Sequence, residues 1–182
     1  MREMKLVLMG SSGVGKSPFA IQFVENRFEQ KYDPTIEESY RITKRIDDKD
    51  WMMEILDTGG TEIFFSSIRE LYMKGGQGFL LIYSIVSRYT FEDLKNVRNQ
   101  IMKVKGKDTF PMVLCGNKCD LEERREVETA EGQQLATLWG CPFFETSARY
   151  KINVDEAFFA LCREVIPDLP PLKKLNGGCM LL

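Results

Sequence analysis

One glycine-rich segment near the N-terminus has the residue types and spacing that can bind phosphate groups. It reads Gly10-Ser11-Ser12-Gly13-Val14-Gly15-Lys16-Ser17 and fits the pattern G-x-x-x-x-G-K-[ST]. An apolar run precedes it and a helical pattern follows, which is the strand–turn–helix context that the motif requires. Glycines let successive backbone N–H groups point at phosphate oxygens, and the helix N-terminus adds positive potential. We therefore expect Gly10, Ser12, Gly13, Val14 and Gly15 to surround a polyphosphate, with Lys16 on its outer two phosphates and the Ser17 hydroxyl on Mg²⁺.

A second candidate site follows another apolar strand. Asp57-Thr58-Gly59-Gly60 comes directly after residues 53–56. A carboxylate at the end of a strand beside the phosphate loop is suited to be the second Mg²⁺ anchor. Gly60 would let its backbone N–H approach the terminal phosphate closely. The alternative is a strand that simply ends in a glycine turn.

A third segment indicates which base is bound. Asn117-Lys118-Cys119-Asp120 follows the apolar residues 112–115. The Asp120 carboxylate can accept hydrogen bonds from both N1–H and the 2-amino group of guanine, whereas adenine would leave it unpaired. Sites of that kind discriminate by about 10⁴ or more. Asn117 would tie this segment to the phosphate loop, the Lys118 stem would cover the base, and Ser147-Ala148 would offer a backbone N–H to the guanine O6.

Composition excludes several other classes of protein. The net charge is −2 with charges of both signs mixed, and no Lys/Arg cluster stands out in the body of the chain, which argues against nucleic acid as a partner. The chain has no histidine, so a histidine base and a His-ligated metal are excluded. Five cysteines without paired spacing favour reduced thiols in the cytosol. Neither a signal peptide nor a membrane-spanning run of about 18 apolar residues is expected.

Short apolar runs alternate with amphipathic ones along the chain. Strands are predicted over 6–9, 39–46, 51–56, 78–84, 111–116 and 142–145, and helices over 17–26, 66–74, 90–105, 129–138 and 154–165. Repeated β–α alternation predicts an α/β fold with a parallel sheet between two layers of helices. One hairpin, with a turn over 47–50, makes one pair of strands antiparallel. We expect a mixed six-stranded sheet with five helices, and ligands at the carboxyl ends of the strands.

The composition changes after Ile166. Residues 167–178 are rich in Pro and Gly and are expected to form a flexible tail, so residues 1–166 are predicted to be one domain and 167–182 the tail. Cys179-Met180-Leu181-Leu182 fits the C-a-a-X prenylation box, and the final leucine favours geranylgeranylation of Cys179. One prenyl chain usually needs a second membrane signal. Only Lys173 and Lys174 are nearby in the sequence.

Together these motifs resemble the small GTPases of the Ras superfamily, from about Arg2 to Ile166, and are most similar to the Rap branch. Further matching segments are Tyr32-Asp33-Pro34-Thr35-Ile36-Glu37 after Lys31, and Leu71-Tyr72-Met73-Lys74. The resemblance implies a P-loop NTPase fold, and implies that Phe28 packs against guanine, although a lone Phe is more often a core residue. It implies that Thr35 binds Mg²⁺ and senses the terminal phosphate. Arg149, which follows the Ser-Ala pair and is counted with the nucleotide-binding residues, departs from the family, which has lysine there. It implies an effector surface made of Lys31, Tyr32, Asp33, Pro34, Thr35, Ile36, Glu37, Glu38, Ser39 and Tyr40.

Several departures bear on hydrolysis. Thr61 stands where Ras proteins have a glutamine that orients the attacking water, as it does in the Rap branch, where the activating protein supplies an asparagine instead. Ser12 replaces a glycine, Gly59 replaces an alanine, and the segment from Ile63 onward is one residue longer than in Rap proteins. Pro18 is tolerable in a first helical turn. The predicted catalytic set is Lys16, Thr35, Gly60 and Thr61, and the predicted metal set is Ser17, Thr35 and Asp57.

The sequence therefore predicts a Rap-like switch that binds GTP and GDP with Mg²⁺ and hydrolyses GTP slowly. The expected partners are effectors with Ras-binding-type domains, exchange factors and GTPase-activating proteins, at the cytoplasmic face of a membrane reached through the prenyl group. The alternative is a GTP-binding scaffold with little or no turnover, which Ser12, Gly59 and the longer segment would favour. A small-molecule kinase would have no use for residues 117–120 or for the prenylation box.

Overall fold

A computed structural model describes residues 2–28, 37–58 and 66–168. Six strands alternate with five helices in these ranges, and two short 3₁₀ turns, Glu122–Arg124 and Ile166–Asp168, complete the elements. The strands are β1 Arg2–Met9, β2 Glu37–Ile46, β3 Lys49–Thr58, β4 Gly78–Ser84, β5 Met112–Asn117 and β6 Phe143–Thr146. The helices are α1 Lys16–Glu25, α2 Ser66–Gly75, α3 Arg88–Lys105, α4 Thr129–Trp139 and α5 Val154–Val165.

The strands form one sheet in the order β2-β3-β1-β4-β5-β6. Only β2 and β3 pair antiparallel, and the other four pairings are parallel. The predicted α/β fold with a mixed six-stranded sheet and five helices is therefore confirmed. Because β1, β3, β4, β5 and β6 run in the same direction, their carboxyl ends meet at one edge, where the predicted site residues follow them.

Apolar side chains fill both faces of the sheet. One core lies under α1 and α5, where Phe23 stacks on Phe158 with ring centroids 4.0 Å apart. The second core lies against α2, α3 and α4, and includes Phe79 and Leu94. All residues of β4 and β5 are buried, as expected of central parallel strands. These two cores hold the carboxyl edge as a rigid frame for the loops that leave it.

Two boundaries differ from the sequence-based expectation. Strand β1 begins at Arg2 rather than residue 6, because Met4 packs into the core while Lys5 pairs with Glu54 of β3 at 3.2 Å. The hairpin turn has two residues, not four. Asp47 and Asp48 both have positive φ, 47° and 63°, which is typical of the tight turns that match strand twist.

Two further findings concern the chain ends and the cysteines. Pro167 and Asp168, predicted as the start of the tail, continue from α5 as a 3₁₀ turn. Cys115, Cys119, Cys141 and Cys162 are free thiols. Among the described residues, no helix combines the length and apolar character needed to cross a membrane.

Candidate nucleotide-binding site

The phosphate loop leaves β1 in a backbone shape that other elements enforce. A Cβ on Gly10 would lie 2.1 Å from the Ile82 carbonyl oxygen of β4, and a Cβ on Gly15, where φ is 98°, would lie 2.6 Å from Asn117 Nδ2. Only glycine fits such approaches. The loop is thus pressed against β4 and β5, which fixes where its N–H groups lie.

Helix α1 starts at the end of this loop. Phe19 N–H donates to the Gly15 carbonyl at 3.0 Å, so the first helical hydrogen bond closes after Pro18, whose missing N–H costs nothing in the first turn. The buried Lys16 ammonium donates to the Gly10 carbonyl at 2.7 Å and the Ser11 carbonyl at 3.1 Å. It is thereby held in the concavity of the loop, where a phosphate oxygen would meet it.

Asp57 is the second-last residue of β3, opposite Leu8 of β1 near the start of the phosphate loop, and is fully buried. Neither of its carboxylate oxygens has a hydrogen-bond donor within the described residues. Burial raises the pKa of Asp57 above its usual range, although the nearby Ser17 hydroxyl and Lys16 ammonium pull it down. A buried carboxylate with free lone pairs beside a hydroxyl supplies the hard oxygen ligands that Mg²⁺ prefers, so Asp57 and Ser17 fit the implied ion.

Asn117, at the end of β5, is buried between two loops. Its Nδ2 donates to the Val14 carbonyl of the phosphate loop at 2.8 Å, and its Oδ1 accepts from the Thr146 hydroxyl at 3.1 Å. Because both ends of the carboxamide are bonded, its orientation is fixed. The hydrogen bond expected between residues 117–120 and the phosphate loop is present.

The two residues that would face the base follow Asn117. Lys118, with φ of 66°, crosses to the phosphate loop and donates from Nζ to the Gly13 carbonyl at 2.7 Å, and burial lowers its pKa. Asp120 Oδ1 accepts from the Ser147 hydroxyl at 2.7 Å. Ser147 Oγ in turn accepts from Tyr150 N–H at 3.2 Å. The hydroxyl proton therefore points at Asp120, and the carboxylate is held in one orientation.

The structure shows which amide of the Ser147-Ala148 pair is available for the base. Ser147 N–H donates to the Ile152 carbonyl at 3.1 Å, so it cannot serve a base oxygen, and the amide of Ala148 is the one that could. The Ala148 carbonyl accepts from Gln22 Nε2 of α1 at 2.8 Å, which anchors this loop to the helix that follows the phosphate loop.

Sequence reasoning missed several residues that support the site. Gln22 and Thr146 position the base loops through the bonds just described. Ser11, buried in the phosphate loop, donates to Asp93 Oδ2 of α3 at 2.9 Å. Its partner is 82 residues away, so no spacing in the sequence could have indicated it.

Of the remaining predicted residues, some are described by the structure and others are not. Phe28 is 38% exposed after α1, and the exposed Arg149 lies over the Tyr150 ring at 5.4 Å. Glu37, Glu38, Ser39 and Tyr40 belong to the edge strand β2, where the Tyr40 hydroxyl donates to Glu38. The others lie outside the described residues: Lys31, Tyr32, Asp33, Pro34, Thr35, Ile36, Gly59, Gly60, Thr61, the start of the longer segment at Ile63, and Cys179.

One comparison with known proteins bears on this arrangement. A family model described as the Ras family matches residues 5–167. The match runs from β1 through the end of α5, and so covers the phosphate loop, Asp57 and both base loops.

Proposed function

Because the chain belongs to the Ras family of small GTPases, we propose that it is a Rap-like member: a GTP/GDP switch with slow intrinsic hydrolysis, anchored to a membrane by a prenyl group. Members of this family bind GTP and GDP with Mg²⁺ and signal through regulators and effectors. The observation that best supports guanine as the base is the orientation of the Asp120 carboxylate, which the Ser147 hydroxyl fixes. Asn117 and Lys118 hydrogen-bond to the phosphate loop, so the carboxylate is also held close to the phosphate site.

Catalysis in this site would rest on positioning and charge. The family reaction is attack of water on the γ-phosphate of GTP, giving GDP and phosphate, and a bound Mg²⁺ would neutralise charge on the phosphate oxygens. Lys16 would stabilise the negative charge that develops, together with backbone N–H groups of the loop and of Gly60. Thr35 would bind the ion and report the γ-phosphate to the effector surface.

Slow turnover is proposed from the residues near the attacking water. Thr61 is shorter than glutamine and has no side-chain amide with which to orient the water. Ser12 adds a side chain where related proteins have none. Stimulated hydrolysis would then depend on a group that an activating protein supplies, as in the Rap branch.

The direct test is the nucleotide carried by the purified full chain, with GTP turnover measured alone and with a Rap-type activating protein. A switch should retain guanine nucleotide and convert GTP to GDP faster with the activator. Persistent GTP in both conditions would instead support the scaffold. Purification without any guanine nucleotide, and without Mg²⁺-dependent affinity for one, would contradict both.

We expect Thr61→Gln and Ser12→Gly each to raise the rate of single-turnover GTP hydrolysis, because each change restores the residue found in Ras proteins beside the attacking water. An increase of roughly tenfold would correspond to a barrier lower by about 1.4 kcal/mol. The measurement is phosphate release from preloaded GTP. Thr137→Gln, an exposed threonine of α4, is the matched control and should leave the rate unchanged. If neither site variant is faster, the explanation of slow turnover is wrong.

Membrane anchorage at Cys179 has a test of its own. Cys179→Ser should remove the geranylgeranyl mass from the protein and move it from the membrane to the soluble fraction of cells. Leu182→Ser is the matched variant, since a final serine favours farnesylation and should shorten the added chain without abolishing it. An unmodified wild-type protein in the membrane fraction would rule out the prenyl anchor.

A further inference from the structure

A basic cavity lies at the edge of the sheet opposite the nucleotide site. Three lysines line it: Lys74 in the last turn of α2, Lys105 in the last turn of α3, and Lys107 just beyond. It sits where β4 and β5 begin, next to Gln77, whose N–H donates to the Lys5 carbonyl of β1 at 2.9 Å. Lys105 and Lys107 are two positions apart in the sequence, and the fold brings Lys74, about 30 positions away, to the same place.

Within the described part of the chain, no ion pair neutralises the positive charge of this cavity. Among the residues that the structure describes, no carboxylate lines the cavity and none of the three lysines takes part in an ion pair. The Lys105 ammonium lies 5.4 Å above the centre of the buried Phe79 ring. Burial and the neighbouring Lys107 both lower the pKa of Lys105.

Helix ends explain part of this arrangement but not all of it. Lysines in the last turn are favoured by the negative end of the helix dipole, which accounts for Lys74 and Lys105. Lys107 belongs to neither helix, yet it lines the same cavity as the other two. Gly75 and Thr109 also line the cavity. The helix dipoles do not explain why a concave site holds three cations with no counter-charge among the described residues.

We propose that this cavity binds the phosphorylated headgroup of an inositol lipid and supplies the second membrane signal that a single prenyl chain needs. The inference builds on the proposed prenyl anchor. A multiply phosphorylated headgroup offers the several negative charges that three lysines would match, and basic pockets on the cytoplasmic side of membranes bind such headgroups. The cavity volume is about 220 Å³. A water molecule occupies about 30 Å³ in the liquid, so a phosphate group fits with room to spare.

The position of the cavity agrees with that role. Val165, the last residue of α5, lines it, and Cys179 follows 14 positions later. A fully extended chain spans at most about 3.3–3.6 Å per residue, so the covalent reach from Val165 to Cys179 is up to about 50 Å. A prenyl group in a bilayer would therefore allow the cavity to face the same bilayer while the nucleotide site points away from it.

The test uses the full-length, unprenylated, GDP-loaded protein and vesicles of phosphatidylcholine alone, with phosphatidylserine, or with phosphatidylinositol bisphosphate at the same total charge. The wild-type protein should bind the bisphosphate vesicles most tightly. Lys74→Gln/Lys107→Gln should weaken that binding roughly thirtyfold, because each lysine near an anionic surface contributes about a factor of five. Both residues are exposed, so the variant should fold, and retained GDP reports that it does.

The matched control removes the same charge elsewhere. Lys95→Gln/Arg124→Gln changes two exposed cations outside the cavity and should bind the bisphosphate vesicles within about twofold of wild type. Lys173 and Lys174 are present in every protein, so the tail cannot cause a difference. Equal losses in the two double variants, or no preference over phosphatidylserine, would overturn the proposal in favour of diffuse charge. Binding of soluble inositol trisphosphate without vesicle binding would overturn it in favour of a free metabolite.

The vesicle result and the anchor result are separable. Because the protein used in the vesicle test is unprenylated, its binding does not depend on whether Cys179 is modified in cells. If the vesicles are not bound but the cellular protein is prenylated, only the lipid-binding role of the cavity is rejected. If the vesicles are bound but the cellular protein is not prenylated, only the prenyl anchor is rejected.

Discussion

Asp120→Asn should lower the affinity for GDP by about 10³-fold and reverse the preference toward xanthosine diphosphate. The variant loses two charge-assisted hydrogen bonds to guanine, each contributing about 1.5–3 kcal/mol, and the resulting loss of about 4 kcal/mol corresponds to that factor. The measurement is the dissociation constant of each diphosphate by competition with a fluorescent nucleotide.

The structure explains why the amide cannot simply turn to accommodate guanine. Ser147 Oγ already accepts from Tyr150 N–H, so its own proton is directed at Asp120 Oδ1. In the variant the amide oxygen should keep that hydrogen bond, which leaves its NH₂ group toward the base. Guanine would present two donors to a donor there, whereas xanthine has an acceptor at O2.

Asp108→Asn is the matched control for this prediction. It makes the same chemical change on an exposed loop and should leave both affinities as they are in the wild type. Unchanged GDP affinity in Asp120→Asn would show that this carboxylate does not contact the base, and residues 117–120 would then be a turn that happens to fit the motif.

Local patterns predicted most of the fold. Strand β4 and helix α5 have the bounds that the sequence indicated, because β4 is an apolar run that follows a glycine-rich turn and α5 is an amphipathic run that follows a polar loop. The first half of β1 was missed because three of its four residues are charged and Met4 is the one residue there that packs into the core. One apolar residue is too few to show the alternation of buried and exposed positions that marks a strand. Its pairing with β3 supplies what the local sequence lacks, since Lys5 gains Glu54 as a partner.

The candidate site divides in the same way. The phosphate loop and residues 117–120 are short motifs whose chemistry is contained in consecutive residues, so the sequence was enough to find them. The hydrogen bonds that hold these loops in place join distant residues: Gln22 to Ala148, Ser11 to Asp93, and Thr146 to Asn117. Such pairs exist only once the sheet has brought its carboxyl ends together. At the opposite edge, the sequence shows Lys105 two positions from Lys107 but does not show that the fold brings Lys74 to them.

Asp57→Asn should reduce the Mg²⁺-dependent affinity for GDP by roughly a hundredfold or more, while affinity in excess EDTA stays close to that of the wild type. Loss of residues that merely support a metal ligand costs 10–100-fold in metal affinity, so loss of an anchoring carboxylate should cost at least the upper end of that range. The measurement is the ratio of GDP dissociation constants in Mg²⁺ and in EDTA.

This prediction separates a metal role from a structural one because of how Asp57 is placed. Its oxygens meet no donor at good hydrogen-bond geometry among the described residues, so asparagine would lose only the weaker attraction to the Ser17 hydroxyl and the Lys16 ammonium, which the cost of burial outweighs. A buried carboxylate without a partner costs free energy, and the neutral amide costs less. The thermal stability of the GDP-bound variant in EDTA should therefore equal or exceed that of the wild type, even as the effect of Mg²⁺ disappears.

Asp50→Asn, on an exposed part of β3, should change neither quantity. A variant that is destabilised in EDTA but keeps the full Mg²⁺ effect would assign Asp57 to the core and leave Ser17 without its expected partner at the ion.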